Sequence, residues 1–301
     1  MTRIRIILNP AARGGQSTRA LQRVMPILER AGLRADVAMS RDLADLRRLA
    51  LEASDDRDVG LVAMCGGDGT STAAAQVMVH ADTPMAVIPA GTGNDFARGL
   101  GIPIDARAAA RVIVDGFDRT VDLAQATDLT SGETRRFACV AGLGLDLIAL
   151  QALRDVPWLT GPLKYTYGGL RGLLGYRPRW CRVIVGDRVF DGDAMLVAIT
   201  NTPTYGGGMR INPAARLDDG ELDVCVVRAT SRANLVVKYP LVYLGKHVGL
   251  PEIWQAHGSR VKVEAEQPMT LCLDGEITSL ASPLLVEAIP MALKVRVPAG
   301  R

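Results

Sequence analysis

Two runs between Val62 and Arg98 carry the residue types of a phosphate site. The first reads V-A-M-C-G-G-D-G-T from Val62 to Thr70, and the second M-A-V-I-P-A-G-T-G-N-D-F-A-R from Met85 to Arg98. In each, an apolar strand-like run ends in glycine, hydroxyl and carboxylate. Glycine lacks a Cβ, so the backbone at Gly66, Gly67 and Gly69 can take positive φ and come close to a ligand. Successive N–H groups in such a turn, ahead of a helix N-terminus, form a concave anion site. Thr70 and Thr92 add hydroxyl donors. Asp68 and Asp95 would repel phosphate unless a cation lay between them, so carboxylates beside the cradle imply Mg²⁺. One such loop reads equally well as a tight strand-to-helix turn, since Gly-Asp-Gly is ordinary turn chemistry. Two of them, each after a buried-type strand, favour the phosphate site.

Two further stretches could contribute chemistry. Asn201 to Glu221, N-T-P-T-Y-G-G-G-M-R-I-N-P-A-A-R-L-D-D-G-E, combines three consecutive glycines with Asp218 and Asp219 on a tight turn. It reads as readily as a long hairpin connection. Leu273-Asp274-Gly275-Glu276 is another Asp-Gly turn, and it projects Glu276 from a hairpin tip. A phosphoryl transfer enzyme needs one carboxylate to take the proton of the attacking hydroxyl and others to hold Mg²⁺. Glu276 fits the first role, and Asp68, Asp95 and Asp219 the second. His80, His247 and His257 show no metal spacing and read as structural or surface residues. Neither a Gly-x-Ser-x-Gly elbow nor a Gly-x-Gly-x-x-Gly dinucleotide fingerprint occurs.

The elements that must position these residues alternate in the first part of the chain. Ile4 to Leu8 reads as a strand delivering Asn9-Pro10-Ala11-Ala12-Arg13. A helix follows, with Leu21, Val24, Ile27 and Leu28 at helical spacing and Pro26 as a source of a kink. Arg34 to Met39 is a second strand ending at Ser40, Leu43 to Leu51 a helix, Asp58 to Met64 a third strand, Met85 to Ile88 a fourth and Ala106 to Val114 a helix. Strand–helix alternation with short connections predicts a parallel sheet covered on both faces, with ligands beyond the strand C-termini. Asn9, Ser40, Asp68 and Thr92 all fall there.

After Asp122 the pattern changes. Strands are expected at Phe137 to Val140, Cys181 to Val185, Met195 to Thr200, Leu222 to Val227, Arg260 to Ala265, Met269 to Leu273 and Leu284 to Ile289. Helices are expected at Leu143 to Leu153, Pro162 to Leu174 and Ala233 to Tyr243. The expected fold is therefore an α/β N-terminal domain with a parallel sheet, residues 1–122, and a mostly antiparallel β domain, residues 123–291. Residues 292–301 are able to rejoin the first domain as an edge strand.

A net charge of +3 over 301 residues gives no case for a nucleic-acid partner. Five widely separated cysteines in apolar runs read as buried and reduced, not as a disulfide or zinc framework. Met1 to Leu8 runs straight into a strand, which is not the pattern of a signal peptide, and no run of about 18 apolar residues offers a spanning helix. Any membrane contact is then peripheral. Trp158 to Leu174, W-L-T-G-P-L-K-Y-T-Y-G-G-L-R-G-L-L, mixes aromatics, leucines and basic residues, and reads equally as a membrane-facing helix or as one packed on the β domain.

The ordered set N-P-A-A-R-G-G, G-G-D-G-T, P-A-G-T-G-N-D-F-A-R, V-D-L, Y-G-G-G-M-R-I-N-P-A-A-R-L-D-D-G-E-L-D and D-G-E resembles the soluble bacterial diacylglycerol kinases and related lipid kinases, from Ile4 to Pro298. The resemblance implies an NAD kinase-like first domain and an ATP-dependent kinase active in an interdomain cleft. By similarity, ATP would meet Asn9, Pro10, Ala11, Ala12, Arg13 and Ser40, then Gly66, Gly67, Asp68, Gly69, Thr70, Ser71 and Thr72, then Gly91, Thr92, Gly93 and Asn94. Glu276 would be the general base, with Asp68 and Asp95 in a catalytic Mg²⁺ network. Arg216, Asp219 and Glu221 match a family Mg²⁺ site, to which an arginine can bring only its backbone carbonyl. One departure stands out: the family often continues G-G-D-G-T with x-Asn-Glu, where this chain has Ser71-Thr72-Ala73. The resemblance further implies a lipid substrate met at a membrane surface and a cytoplasmic, transiently membrane-associated protein, and it leaves a homodimer open. Two rival expectations remain, a soluble-substrate kinase of the NAD kinase type and a nucleotide- or lipid-binding regulator without catalysis.

Overall fold

The structure, a computed structural model, describes residues 3–299 apart from 157, 160 and 161, and leaves the side chains of residues 13 and 162 undescribed. The chain divides into two compact units, Met1–Asp122 with Met291–Arg301, and Leu123–Pro290.

The first unit begins β1 (Arg3–Leu8), a 3-10 turn (Ala12–Gly15), α1 (Gln16–Arg30), β2 (Arg34–Met39), α2 (Leu43–Asp55), β3 (Val59–Gly66), α3 (Asp68–Ala75), β4 (Met85–Pro89), α4 (Asp95–Gly99) and α5 (Ala106–Asp115). Its strands lie in the order β4-β3-β1-β2, all parallel. Alternate strand residues Ile4, Ile6, Leu8, Leu61, Ala63, Cys65, Ala86 and Ile88 form one buried face with α1 and α5. Side chains cap two of the helices. Asp42 accepts from the Asp45 N–H at the start of α2, and Asp105 from those of Arg107 and Ala108 at the start of α5. Pro26 lies inside α1 without ending it.

Two long strands run through both units, β5 (Phe117–Asp128) and β15 (Leu284–Val297). In the first unit the end of β15 joins β4 in parallel at Val295 and Met85. β15 also pairs with β5, and the buried Asp122 Oδ1 accepts the Met291 N–H at 2.7 Å. The returning segment therefore has a strand on each side of it.

The second unit holds β6 (Thr134–Phe137), β7 (Val140–Gly144), α6 (Leu145–Asp155), α7 (Pro162–Gly175), β8 (Arg179–Val185), β9 (Arg188–Thr200), β10 (Leu222–Arg228), α8 (Arg232–Lys238), α9 (Pro240–Tyr243), β11 (Ile253–Gly258), β12 (Arg260–Ala265), β13 (Thr270–Leu273) and β14 (Glu276–Ala281). Its pairings are antiparallel. The first half of β9 pairs with β8, and its second half runs between β7 and β10. Val197 and Ile199 of β9 enter the core between strands, while Leu196 and Ala198 face a second core with Leu145, Leu173 and Tyr176 of the helical layer. This two-sided burial is why β9 reads as a continuous apolar run.

Two expected elements divide. The strand expected at Phe137 to Val140 is the end of β6 and the start of β7, with Ala138 and Cys139 between them. The helix expected at Ala233 to Tyr243 breaks into α8 and α9 ahead of Pro240, whose ring cannot sit inside a continuous helix. All five cysteines are buried and unbonded to one another. Among the described residues no helix is long and apolar enough to cross a membrane.

Candidate functional site

In the first unit the strand ends converge as the parallel topology requires. The Asn9 N–H donates to the Cys65 carbonyl at 3.1 Å, and its Nδ2 donates to Thr70 Oγ1 at 3.0 Å. The Ser40 N–H and Oγ both donate to the Leu8 carbonyl, at 2.9 and 3.3 Å, which fixes the end of β2 beside that of β1. Asn9 also orders its own turn, its Oδ1 accepting from the Ala11 N–H at 3.1 Å and its carbonyl from the Ser17 hydroxyl at 2.6 Å. Pro10, Ala11 and Ala12 form this turn; the side chain of Arg13 lies outside the described residues.

The two glycine loops touch backbone to backbone. A Cβ on Gly91 would collide with the Cα of Gly67, and one on Gly67 would stand 3.0 Å from the Cα of Gly91. At Gly66 a Cβ would strike Thr70, whereas at Gly69 it would meet nothing within 4 Å. These glycines therefore do different work: Gly66, Gly67 and Gly91 permit contact within the protein, and Gly69 faces open space.

Asn94 braces the second loop internally, and Asp68 ties it to the first. Asn94, at φ 53°, accepts the Gly91 N–H at 2.8 Å and donates to the Gly91 carbonyl at 3.0 Å. Asp68 Oδ1 accepts the Phe96 N–H at 3.1 Å. Burial pushes the Asp68 carboxyl upward in pKa, against the pull of the backbone N–H groups of Phe96, Asn94 and Asp95 and of the Arg98 charge. Asp95 opens α4 and is itself buried. Arg98 Nε donates to the Gly93 carbonyl at 3.1 Å.

Of the loop hydroxyls expected to face a nucleotide, those of Thr70, Ser71 and Thr72 are buried, and Thr92 is half-exposed. Thr70 meets Asn9, and Ser71 and Thr72 are only 2% and 3% exposed. The half-exposed residues of the two loops are Gly67, Asp68, Gly69, Gly91 and Thr92. Ala73, where the resemblance led to the expectation of a carboxylate, is equally buried, and Thr70 to Ala75 of α3 are small residues, all of them buried. A methyl group fits that interior without an uncompensated charge.

The second unit carries the remaining expected residues. Asp219 Oδ1 accepts the Glu221 N–H at 3.1 Å in a local turn, and the Arg216 guanidinium turns to Asp218 at 3.6 Å. His257 lies 3.9 Å from Glu221. Among the described residues, no three or more His, Cys, Asp or Glu side chains are grouped to hold a metal. Of the expected set Arg216, Asp219 and Glu221, Asp219 is exposed and its carboxylate is turned to the Glu221 N–H, while Arg216 is turned to Asp218.

Glu276 opens β14 and is exposed. Asp274 and Gly275, at φ 48° and 87°, make a two-residue turn closed by the Leu273–Glu276 pair. Asp274 has its own partners, which the sequence did not announce: its Oδ2 accepts from the Ala138 N–H at 2.8 Å, and its Oδ1 from those of Cys139 and Val140 at 2.8 and 3.0 Å. The only sequence signal for it was an Asp-Gly pair just before an exposed glutamate.

Comparison with known proteins gives these two units their class. A diacylglycerol kinase catalytic domain matches residues 3–126, and a YegS C-terminal NAD kinase beta sandwich-like domain matches residues 139–297. A diacylglycerol kinase of Mycobacterium tuberculosis is 32% identical over 97% of this chain and 94% of its own length. One from Bacillus subtilis is 30% identical over 92% and 90%. A crystal structure of a diacylglycerol kinase from Bacillus anthracis shares the fold with a TM-score of 0.75 at 23% identity, over 98% of this chain and 96% of that one. The chain belongs to the family of diacylglycerol kinases and YegS-like lipid kinases. It is an ATP-using lipid kinase of that family.

Proposed function

We propose that the chain transfers the γ-phosphoryl group of ATP, with Mg²⁺, to the free hydroxyl of diacylglycerol, giving phosphatidic acid. The observation that carries this reading is the interlocked pair of glycine loops, Gly67 on Gly91, in a lipid kinase whose second unit presents Glu276 on a rigid turn. The loop N–H groups and the half-exposed Gly67, Gly69, Gly91 and Thr92 hold the nucleotide phosphates. Asn9 and Ser40 shape the wall beside them. Glu276 takes the proton of the lipid hydroxyl as its oxygen bonds to the γ-phosphorus and the bond to the leaving ADP oxygen breaks. Mg²⁺, when bound, neutralises charge building on the phosphate oxygens, and Asp68, Asp95 and Asp219 are the carboxylates assigned to it.

Replacement of the base is the direct test. Glu276→Gln should lower kcat by about 10² to 10⁴ while the protein keeps its melting temperature. A folded variant with full activity would sink the assignment. Product identity is read by mass spectrometry from a lipid panel with ATP and Mg²⁺, with NAD alongside as the acceptor that a soluble-substrate kinase would choose. Phosphorylation of NAD alone would replace diacylglycerol as the substrate.

The lipid is met at a membrane surface through the helical layer of the second unit. α7 packs one side on α6, where Gly168 and Gly172 lie too close to Leu153 and to the Leu145 carbonyl for side chains of their own. Its other side exposes Leu163 and Leu174, and Val237 of α8 and Leu244 after α9 are exposed as well. Leu173 points into the core at 5% exposure, so of the adjacent leucines only Leu174, at 52%, is available to lipid. Thr160 and Gly161 of the expected membrane segment lie outside the described residues. Leu174→Asp with Val237→Asp should reduce co-sedimentation with anionic vesicles several-fold. Unchanged binding would remove this face from the mechanism.

A further inference from the structure

The turn that carries Glu276 is tied down by a single side chain. Asp274 occupies a left-handed backbone position at φ 48°, an uncommon one for a residue with a Cβ. Its two carboxylate oxygens collect three consecutive backbone N–H groups, those of Ala138, Cys139 and Val140, and its own N–H donates to the Val140 carbonyl at 2.9 Å. From the other side, Asn201 takes the same segment by its carbonyls: Nδ2 donates to Ala138 at 3.1 Å and the backbone N–H to Cys139 at 2.9 Å. Residues 138–140 are therefore a rail gripped on both edges, and the hairpin tip is fastened to it.

With both oxygens so engaged, Asp274 is a poor proton acceptor and a poor metal ligand. Glu276, two residues on, has the opposite character: it is exposed and lies just past the open turn. The body of the hairpin has independent support, since Cys272 pairs with Ile277 and the Thr278 hydroxyl donates to the Leu271 carbonyl at 2.7 Å. Loss of the Asp274 grip would free the tip and leave β13 and β14 in place.

We infer that Asp274 is a positioning residue, which pins the β13–β14 turn to the backbone of residues 138–140 and so fixes the direction in which Glu276 meets the lipid hydroxyl. This rests on the reading of Glu276 as the base. The pin acts on turnover and leaves nucleotide binding alone, because none of its partners belongs to the glycine loops.

A double-mutant cycle on the full chain tests it. Asp274→Asn removes the charge and keeps one acceptor oxygen. It should lower kcat by roughly tenfold or more, with the KM for ATP within about twofold, because misplacing a reacting group costs rate before binding. In a Glu276→Gln background the same change should alter kcat by less than about twofold, since residues acting as a unit are non-additive. Equal factors in both backgrounds, or an unchanged kcat for Asp274→Asn alone, overturn the pin and spare the base. Full activity in Glu276→Gln alone overturns the base and the pin with it. Should Asp274→Asn fail to fold, Gly275→Ala takes its place in the cycle. Its Cβ meets nothing, and the φ of 87° makes it strain the turn alone. The same non-additive loss supports the pin, and an additive one overturns it.

Discussion

Asp146 takes a carboxyl into the interior of the second unit, where it accepts a hydrogen bond from the Tyr205 hydroxyl at 3.2 Å. Its side chain lies directly over Gly142, where a Cβ would collide with the carboxyl. Burial raises the pKa from 3.8 to about 7, against the pull of Tyr205. The raised value means that the folded state binds the proton more tightly than the unfolded chain. The stabilisation is complete below the unfolded pKa and is lost as pH rises through about 7. A shift of that size corresponds to a few kcal/mol, at about 1.4 per pKa unit. Asp146→Asn should flatten the fall in urea midpoint between about pH 4 and 7. A shallower fall should survive from Asp223, which burial and the nearby Asp219 and Glu221 raise to about 6. A variant whose midpoint still tracks the natural protein across that range would contradict this account. Neither group is marked in the amino-acid pattern, because an aspartate in a strand or at a helix start looks the same whether it faces water or Tyr205.

At the scale of elements, the glycine loops were readable because strand, turn and helix N-terminus each leave a local mark. What was not readable is that they lean on one another. Gly91→Ala should destabilise the protein by about 1–3 kcal/mol and raise the KM for ATP, since its methyl group must displace the backbone at Gly67. Gly69→Ala should leave stability unchanged or slightly improved, for its Cβ enters open space at the start of a helix, where alanine is the better residue. If Gly69→Ala then loses ATP affinity while keeping its melting temperature, the missing side chain there serves the ligand. Calorimetry and nucleotide titration on the two variants separate these effects. The strands that escaped expectation, β5, β11, β14 and all of β6 but Phe137, are polar on one side or short, and T-R-R-F and E-I-T-S-L-A carry too few apolar residues for a periodic signal. The division of Phe137 to Val140 into two strands has a tertiary cause: Asp274 removes the N–H groups of Ala138, Cys139 and Val140 from any strand ladder.

At the scale of the molecule, the change from alternating strand and helix to successive strands was visible in the sequence, and with it the class of each unit. The passage of β5 and β15 through both units was not, since each is one unbroken strand in chain order. The first unit is discontinuous: β4 pairs with β3 on one flank, and its neighbour on the other flank comes from the returning β15, where Asp122 holds Met291. A fragment of residues 1–122 alone should therefore fail to give a cooperative thermal transition, and one that melts sharply would show the returning strand to be dispensable. The same feature has a meaning in time. As the chain leaves the ribosome, the unit encoded first must wait for all of Leu123–Pro290 before its last strand exists, an interval on the order of ten seconds at ordinary rates of synthesis. Through that interval β4 presents an open, apolar flank, and the unit begun first is the one completed last.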